Sequence, residues 1–289
     1  MNYIECIQKS LDYIEENLDQ EITVENLAEI SLCSKFHFHR LFKAMVGIGV
    51  MEYVRKRRLT IAAQKLHYTC ESIINIAMDV GYNSHTAFTR AFKGLYDLSP
   101  IEYRNKEVSI DHFEHVDVSH RKLINNKVGC IFGPRIFRKS SFSVVGMKIT
   151  CSFDENKDTR AVPNLWYNFL ERRKEIAGLV GEIGFGVSFD SCLGKFFNYI
   201  ASFEVRDIKS IPEGMEYYTV PSSLYASFLF KFNSDLGRFY EALDYVYGVW
   251  LPQSKYKLSN QMDLIEAVDF TQYLKEDNSF EIWIPLQDD

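Results

Sequence analysis

Ser34-Lys35-Phe36-His37-Phe38-His39-Arg40-Leu41-Phe42-Lys43 and Ser84-His85-Thr86-Ala87-Phe88-Thr89-Arg90-Ala91-Phe92-Lys93 are two writings of one pattern, set 50 residues apart. Upstream, Leu27-Ala28 returns as Ile76-Ala77 at an offset of 49, so the second copy carries one more residue in its turn. A duplicated unit follows: a small-residue helix, a tight turn, and a second helix with one apolar stripe. Phe38, Leu41 and Phe42, like Phe88, Ala91 and Phe92, fall at i, i+3, i+4 and predict a buried face. The opposite stripe holds Lys35, His39, Arg40 and Lys43 in one copy and His85, Thr86, Thr89, Arg90 and Lys93 in the other. Two helix-turn-helix units are the simplest reading.

Each second helix has a start signal. Ser34 and Ser84 can accept from an unsatisfied first-turn N–H as N-caps. Gly81 supplies a permissive turn backbone in the second copy; Leu32 stands at the comparable place in the first, where a positive φ costs about 1–2 kcal/mol. That turn is either built differently or strained. Between the copies, Gly49 to Leu66 reads as one linker helix, with Val50, Tyr53, Val54, Ile61, Ala62 and Leu66 as its apolar positions. Its length of roughly 27 Å approaches one turn of duplex DNA, about 34 Å.

At 289 residues and 46% hydrophobic, the chain is long enough to build two cores. No apolar run approaches a membrane span and Met1–Glu5 lacks a signal-peptide layout, which points to a cytoplasmic protein with no membrane partner. The six cysteines are far apart, without C-x-x-C or metal-ligand spacing, so reduced thiols are expected, with neither metal nor cofactor.

The net charge of −6 runs against DNA binding, so its distribution has to decide, and residues 1–107 balance 13 Lys/Arg against 14 Asp/Glu. Within 35–65, however, Lys35, Arg40, Lys43, Arg55, Lys56, Arg57, Arg58 and Lys65 face the single acid Glu52. Screening over about 8 Å lets such a local patch act on phosphate independently of distant carboxylates. A solvated helix face is the alternative.

Residues 107–140 show little periodicity and read as a connecting segment, punctuated by Gly129, Gly133 and Pro134. Beyond it, strands are expected at 142–150, 185–190, 197–205, 223–232, 264–270 and 279–285, with helices at 163–177 and 235–250. The order is β-α-β-β used twice, which predicts a pseudo-symmetric α+β domain with a cleft between its halves. Three regions result: 1–107 all-α, 108–140 connecting, and 141–289 α+β.

Residues 7–106 resemble the DNA-binding domain of the AraC/XylS family of transcription regulators. The resemblance is carried by Ile76-Ala77, Val80-Gly81-Tyr82, Ser84, Phe88, Arg90, Phe92-Lys93, Ser99-Pro100 and Tyr103-Arg104. It implies double-stranded promoter DNA as partner, with Phe36, His39 and Arg40 reading bases in one helix and His85, Thr86, Thr89 and Arg90 in the other. Arginine at a groove-facing position can take guanine bidentately; a phosphate clamp or an ion pair within the domain is the alternative for Arg40 and Arg90. Lys35, Lys43 and Lys93 complete the proposed DNA-binding set.

Residues 140–286 resemble GyrI-like small-molecule-binding domains. The match rests on Val144-Val145-Gly146, Pro163, Leu165-Trp166, Phe169, Tyr199-Ile200-Ala201, Pro212, Gly214, Trp250-Leu251-Pro252, Glu266 and Trp283-Ile284-Pro285. The resemblance implies an effector cleft with Glu266 at its floor and Trp166, Tyr199 and Trp250 as aromatic walls; simple packing is the alternative for Trp250, and a solvent-facing strand end for Glu266. Val268 stands where this family often has tyrosine, so ligand identity does not carry over. A carboxylate among ring faces suits a lipophilic cation.

The expected function is a one-component regulator, an activator, in which effector occupancy changes how the helices are presented or exposes a surface for RNA polymerase. The alternative is a hydrolase of small strained molecules, with Glu266 and a tyrosine activating water. Cys192 and Lys195 lack a matched His or Asp partner for nucleophilic catalysis.

Overall fold

The computed structural model describes residues 2–106, 112–119, 130–152, 160–192, 196–208, 210–231, 236–271 and 279–288. The chain forms two compact units: Asn2–Leu32 with Met45–Lys122, and Cys33–Ala44 with Leu123–Asp289. These do not follow the sequence boundaries at 107 and 141. A short piece of the amino-terminal region, Cys33–Ala44, belongs to the unit built by the carboxy-terminal region.

The helical unit contains α1 (Tyr3–Glu16), α2 (Val24–Ile30), α4 (Val50–Tyr68), α5 (Ile73–Asp79), α6 (His85–Tyr96) and α7 (Pro100–Asn105); α3 (Lys35–Val46) intervenes in sequence. Hydroxyl caps define the starts: Thr23 accepts from Asn26 N–H, Ser72 from Asn75 N–H and Ser84 from Ala87 N–H. Ser99 and Glu102 form a reciprocal capping box, with Pro100 in the first turn. The expected linker helix is α4. Its Leu59, Ala62, Ala63 and Leu66 pack with Ile76, Ala77, Phe88, Phe92, Tyr96 and Tyr103 in one buried cluster. The i, i+4 pair Phe88 and Phe92 therefore faces inward, as its spacing requires.

Leu32 does adopt a left-handed backbone, φ 53°, and its side chain is exposed. The leucine gains nothing by packing to offset the strain. Leu32→Gly is expected to raise unfolding stability by roughly 0.5–1 kcal/mol, the strain relieved less the extra unfolded-chain entropy of glycine, as read by urea titration.

The second unit is built on an eight-stranded sheet: β1 (Cys130–Lys139), β2 (Phe142–Ser152), β3 (Leu179–Cys192), β4 (Phe196–Val205), β5 (Glu216–Val220), β6 (Ser223–Lys231), β7 (Leu264–Asp269) and β8 (Ser279–Leu286). Spatial order is β1-β6-β8-β7-β3-β4-β2-β5, and neighbouring strands run antiparallel. Strand β1 lies inside the stretch read as a connection, and β5 was not anticipated. Both are edge strands.

Helix α8 (Ala161–Arg172) follows β2, and α9 (Leu236–Tyr245) follows β6. The helix expected at 163–177 gives way to a short 3-10 turn at Arg173–Glu175, and the one expected at 235–250 runs from α9 into a π-turn, Val246–Trp250, then α10 (Leu251–Gln253). Directly opposite residues share a sheet face. The row Phe203, Gly184, Val268, Phe280, Phe230 and the row Ala201, Gly186, Glu266, Ile282, Phe228 thus lie on one face. Phe169 of α8 packs on Phe203, and Phe239 of α9 on Phe280, so both helices cover that face. Phe142, Val144, Phe185, Val187, Ile265 and Trp283 belong to the core on the opposite face.

Candidate functional site

In the helical unit, burying Phe88 and Phe92 forces the other side of α6 outward. His85, Thr86, Arg90 and Lys93 are exposed and Thr89 is half-buried. The helix has no acidic residue in its first turn and ends on a cation, Lys93, in its last. The outer row of α6 therefore offers hydrogen-bonding groups and two cations to solvent.

The arginine run of α4 corrects the expectation of a free basic patch. Arg57 is buried and grips Glu15 through Nε and Nη2, both at 2.8 Å, while Nη1 donates to the Phe113 carbonyl. Arg58 donates to the carbonyls of Leu18, Gly81 and Gln20. Lys65 pairs with Asp79 and Lys56 with Glu52. These cations tie helices and turns together, leaving Arg55 as the exposed member of the arginine run. A run of charge in sequence does not reveal the carbonyls that surround it after folding.

In the sheet unit, three expected residues come together. Trp166 Nε1–H donates to the Tyr199 hydroxyl at 2.8 Å, and that hydroxyl donates to Glu266 Oε2 at 2.9 Å. Gly186 makes room for them, since a Cβ there would lie 2.1 Å from the Tyr199 oxygen. Gly184 does the same under Phe270 and Trp166. Burial pushes the Glu266 carboxyl up to about 7, against the opposing pull of the Tyr199 hydrogen bond and the Arg40 charge. Burial first, then the Glu266 charge, raises Tyr199 well above the ordinary phenol range. Cys151 is raised to about 11 by the same two causes. A second carboxyl, Asp263, is raised to about 7 by burial and by the Asp190 charge, against the opposing pull of Arg40.

Trp250 does not join this chain of contacts. Its ring lies edge-on to Phe228 at 4.8 Å and stacks with Tyr256 at 6.1 Å. Sequence reasoning did not include Gly186, Asp263, Tyr240 or Cys151. Gly184 and Gly186 carried the one available signal, because glycine inside a strand marks a close approach. Lys195 lies outside the described residues, as does the side chain of Cys192.

Helix α3 requires the main correction. Ser34 Oγ caps it as expected, accepting from His37 N–H at 3.3 Å. Its expected base-reading residues Phe36, His39 and Arg40 are all buried, and so is the neighbouring His37. The cause is packing within the sheet unit. Phe36 meets Phe197 edge-on, Lys43 Nζ sits 5.5 Å from the Tyr240 ring centre, and Ala44 lies against Gly248. Ser34 N–H donates to Asn260 Oδ1 at 3.0 Å. His37 Nε2 lies 3.2 Å from the Ser259 carbonyl, which only accepts, so Nε2 carries the proton and Nδ1 accepts from the Tyr247 hydroxyl at 3.1 Å. Burial holds His37 near 4 and His39 near 3, so both rings are neutral.

Among the described residues, no helix is long and apolar enough to cross a membrane, and no three His, Cys, Asp or Glu residues form a metal-binding group. The chain thus carries a helical region followed by an antiparallel sheet domain with flanking helices. Residues 27–106 match the model described as "Helix-turn-helix domain", and residues 135–286 match "Integron-associated effector binding protein". The chain belongs to the AraC/XylS family of transcription regulators and carries an effector-binding domain of the second kind.

Among its relatives, Regulatory protein SoxS of Salmonella typhimurium is 36% identical over 106 residues, 37% of this chain and 99% of that protein. The uncharacterized HTH-type transcriptional regulator YbfP of Bacillus subtilis is 44% identical over 104 residues, 36% of this chain; the chain spans about a third (35%) of that relative's length. Among solved structures, SAV2435 bound to tetraphenylphosphonium aligns at 17% identity and TM-score 0.43, over 53% of this chain and 93% of that one.

Proposed function

We propose that α6 is a DNA-reading helix and that the sheet face around Trp166, Tyr199 and Glu266 is the effector site, suited to a lipophilic cation. In this reading α2 with α3 and α5 with α6 are two helix-turn-helix pairs joined by α4, and the two β-α-β-β runs of the sheet unit are duplicates. Promoter DNA is the macromolecular partner, and RNA polymerase a further one.

The observation that carries the DNA reading is the exposed row His85, Thr86, Arg90 and Lys93 opposite a fully buried Phe88 and Phe92. An α-helix fits the major groove, and an arginine there discriminates guanine by about 1–3 kcal/mol. For the effector site, the support is a partly buried carboxyl that retains one hydroxyl donor and lies among tryptophan and tyrosine rings. Ring faces add roughly 0.5–2 kcal/mol each for a cation.

Selection from randomised duplexes at physiological salt tests the DNA reading. The chain is expected to enrich a preferred sequence. Arg90→Ala should weaken binding to it by about 1–3 kcal/mol and relax preference at one base pair; Lys93→Ala should weaken all sequences alike and reduce the salt slope by about 1. Equal retention of every sequence by the wild-type chain would contradict the reading.

A further inference from the structure

The duplicated pattern supplies its own control. At the offset of 50, Phe36, His37, His39 and Arg40 correspond to Thr86, Ala87, Thr89 and Arg90. The second copy leaves Thr86 and Arg90 exposed, whereas the first buries all four positions. What covers them is the sheet unit: Phe197, on the same face of β4 as Tyr199, meets the Phe36 ring, and Tyr247 and Ser259 hold the His37 ring. Resting on the reading of that face as a cation site, we propose that α3 is its built-in occupant: Arg40 stands in for the cationic effector, and a bound lipophilic cation displaces α3 and frees its outer row for DNA.

Charge is the first support. The Arg40 guanidinium lies 5.3 Å from the Phe36 ring centre, and its positive charge acts on Glu266, Asp263 and Tyr240 together. A cation beside an aromatic ring and within range of the Glu266 carboxyl has the chemistry assigned to the ligand.

Fit is the second. The contact is directional, with Asn260 receiving the Ser34 N–H and His37 bridging Tyr247 and Ser259. At the other end, a Cβ on Gly248 would come within 3.0 Å of the Ala44 carbonyl oxygen, so the helix approaches the π-turn closely.

The third support is that the fit is incomplete where the charge is. Arg40 Nε and Asp263 Oδ2 are both buried and have no hydrogen-bond partner among the described residues. Settled arginine–carboxylate pairs bond directly and often bidentately. An occupant that brings its charge near a carboxyl without completing the pair leaves free energy for a competitor to gain. The sequence agrees, since Phe36 and His37 replace Thr86 and Ala87 with rings that suit an aromatic groove better than a DNA surface.

Tetraphenylphosphonium is the probe, a permanent cation with four ring faces and no hydrogen-bonding group. In the full chain carrying Ala44→Cys and Gly248→Cys, a disulfide pins α3; Cβ positions 3.1 Å apart are close to the span of about 3.5–4.5 Å that the bond takes. The oxidised protein should bind the probe at least about fivefold more weakly than the reduced, and the probe should raise wild-type affinity for the selected duplex at least about fivefold, a modest allosteric coupling. Wild type taken through the same oxidation controls for the native thiols. Asn260→Ala, an exposed change that removes one contact to α3, should strengthen probe binding about two- to tenfold, the worth of one hydrogen bond.

Equal binding of the probe to oxidised and reduced protein, with duplex affinity unmoved, overturns the displacement and leaves the cation site standing. Failure of the probe to bind wild type, the reduced protein and Asn260→Ala alike removes the cation site itself, and the displacement with it. Duplex binding that is weakened by Arg90→Ala but indifferent to Arg40→Ala with the probe present would make α3 a permanent core helix.

Discussion

Gly186→Ala should abolish binding of a lipophilic cation while leaving the helical unit folded. A methyl group at this position would sit 2.1 Å from the Tyr199 oxygen and 3.2 Å from Glu266 Oε2. The tyrosine must move, and both of its hydrogen bonds, from Trp166 and to Glu266, go with it. Overpacking of this kind costs about 1–3 kcal/mol, and each lost hydrogen bond about 0.5–1.5 kcal/mol more. Gly94 in α6 is the matched control: a Cβ there meets nothing within 4 Å, so Gly94→Ala should stabilise by about 0.5–1 kcal/mol through helix propensity. Calorimetric titration with tetraphenylphosphonium, alongside thermal unfolding of both variants, separates loss of the site from loss of the fold. Wild-type cation affinity in Gly186→Ala would remove the Tyr199–Glu266 pair from the site.

Cation affinity should also rise with pH and level off above neutrality. The Glu266 carboxyl is held at about 7 by burial, so it is neutral in mild acid and anionic above. The anion is the form a cation favours; affinity should therefore climb by up to about tenfold per unit below 7 and flatten beyond it. The groups around this carboxyl are Tyr199 from β4, Cys151 from β2, Tyr240 from α9 and Arg40 from α3; Asp263, just before β7, is a second carboxyl on which the Arg40 charge acts. Tyrosine and cysteine are raised and stay neutral across this range, leaving the two carboxyls to titrate. Glu266→Gln should lower the plateau and leave only the shallower slope of Asp263, itself near 7. An affinity independent of pH from 5 to 8 would exclude Glu266 as the cation's partner.

Regular periodicity made most of the architecture readable. Phe88 and Phe92 repeat at helical spacing and are buried; the caps Ser34 and Ser84 both accept first-turn N–H groups. The strands of the two β-α-β-β runs follow their apolar runs to within a few residues at most ends, apart from β3, which begins six residues earlier than expected, at Leu179. The two strands that escaped notice, β1 and β5, are the sheet's edges. Edge strands tolerate what central ones do not, such as Pro134 in β1 and the exposed Glu216 and Tyr217 in β5, and so lack the usual signal.

Partners of charged groups were not readable at all. Arg57 and Arg58 look the same in sequence as Arg55, yet they clamp Glu15 and turn carbonyls contributed by residues about 40 positions away. The burial of α3 was hidden for a related reason, because Lys35, His39, Arg40 and Lys43 give it the same polar row as α6. Among the differences between the two helices, the rings at Phe36, His37 and His39 stand where α6 has Thr86, Ala87 and Thr89. In the sheet unit, the family resemblance singled out Trp166, Tyr199 and Glu266, which hydrogen bonds join in the structure, whereas Trp250 packs on Phe228.

Ligand and DNA binding form one thermodynamic system if a cation releases α3, and coupling of this kind is reciprocal. The most direct measurement is the affinity of the wild-type chain for tetraphenylphosphonium, by calorimetry, with and without saturating selected duplex. Duplex is expected to tighten the cation by the same factor, at least about fivefold, by which the cation tightens duplex. An identical cation affinity in the two titrations would contradict it.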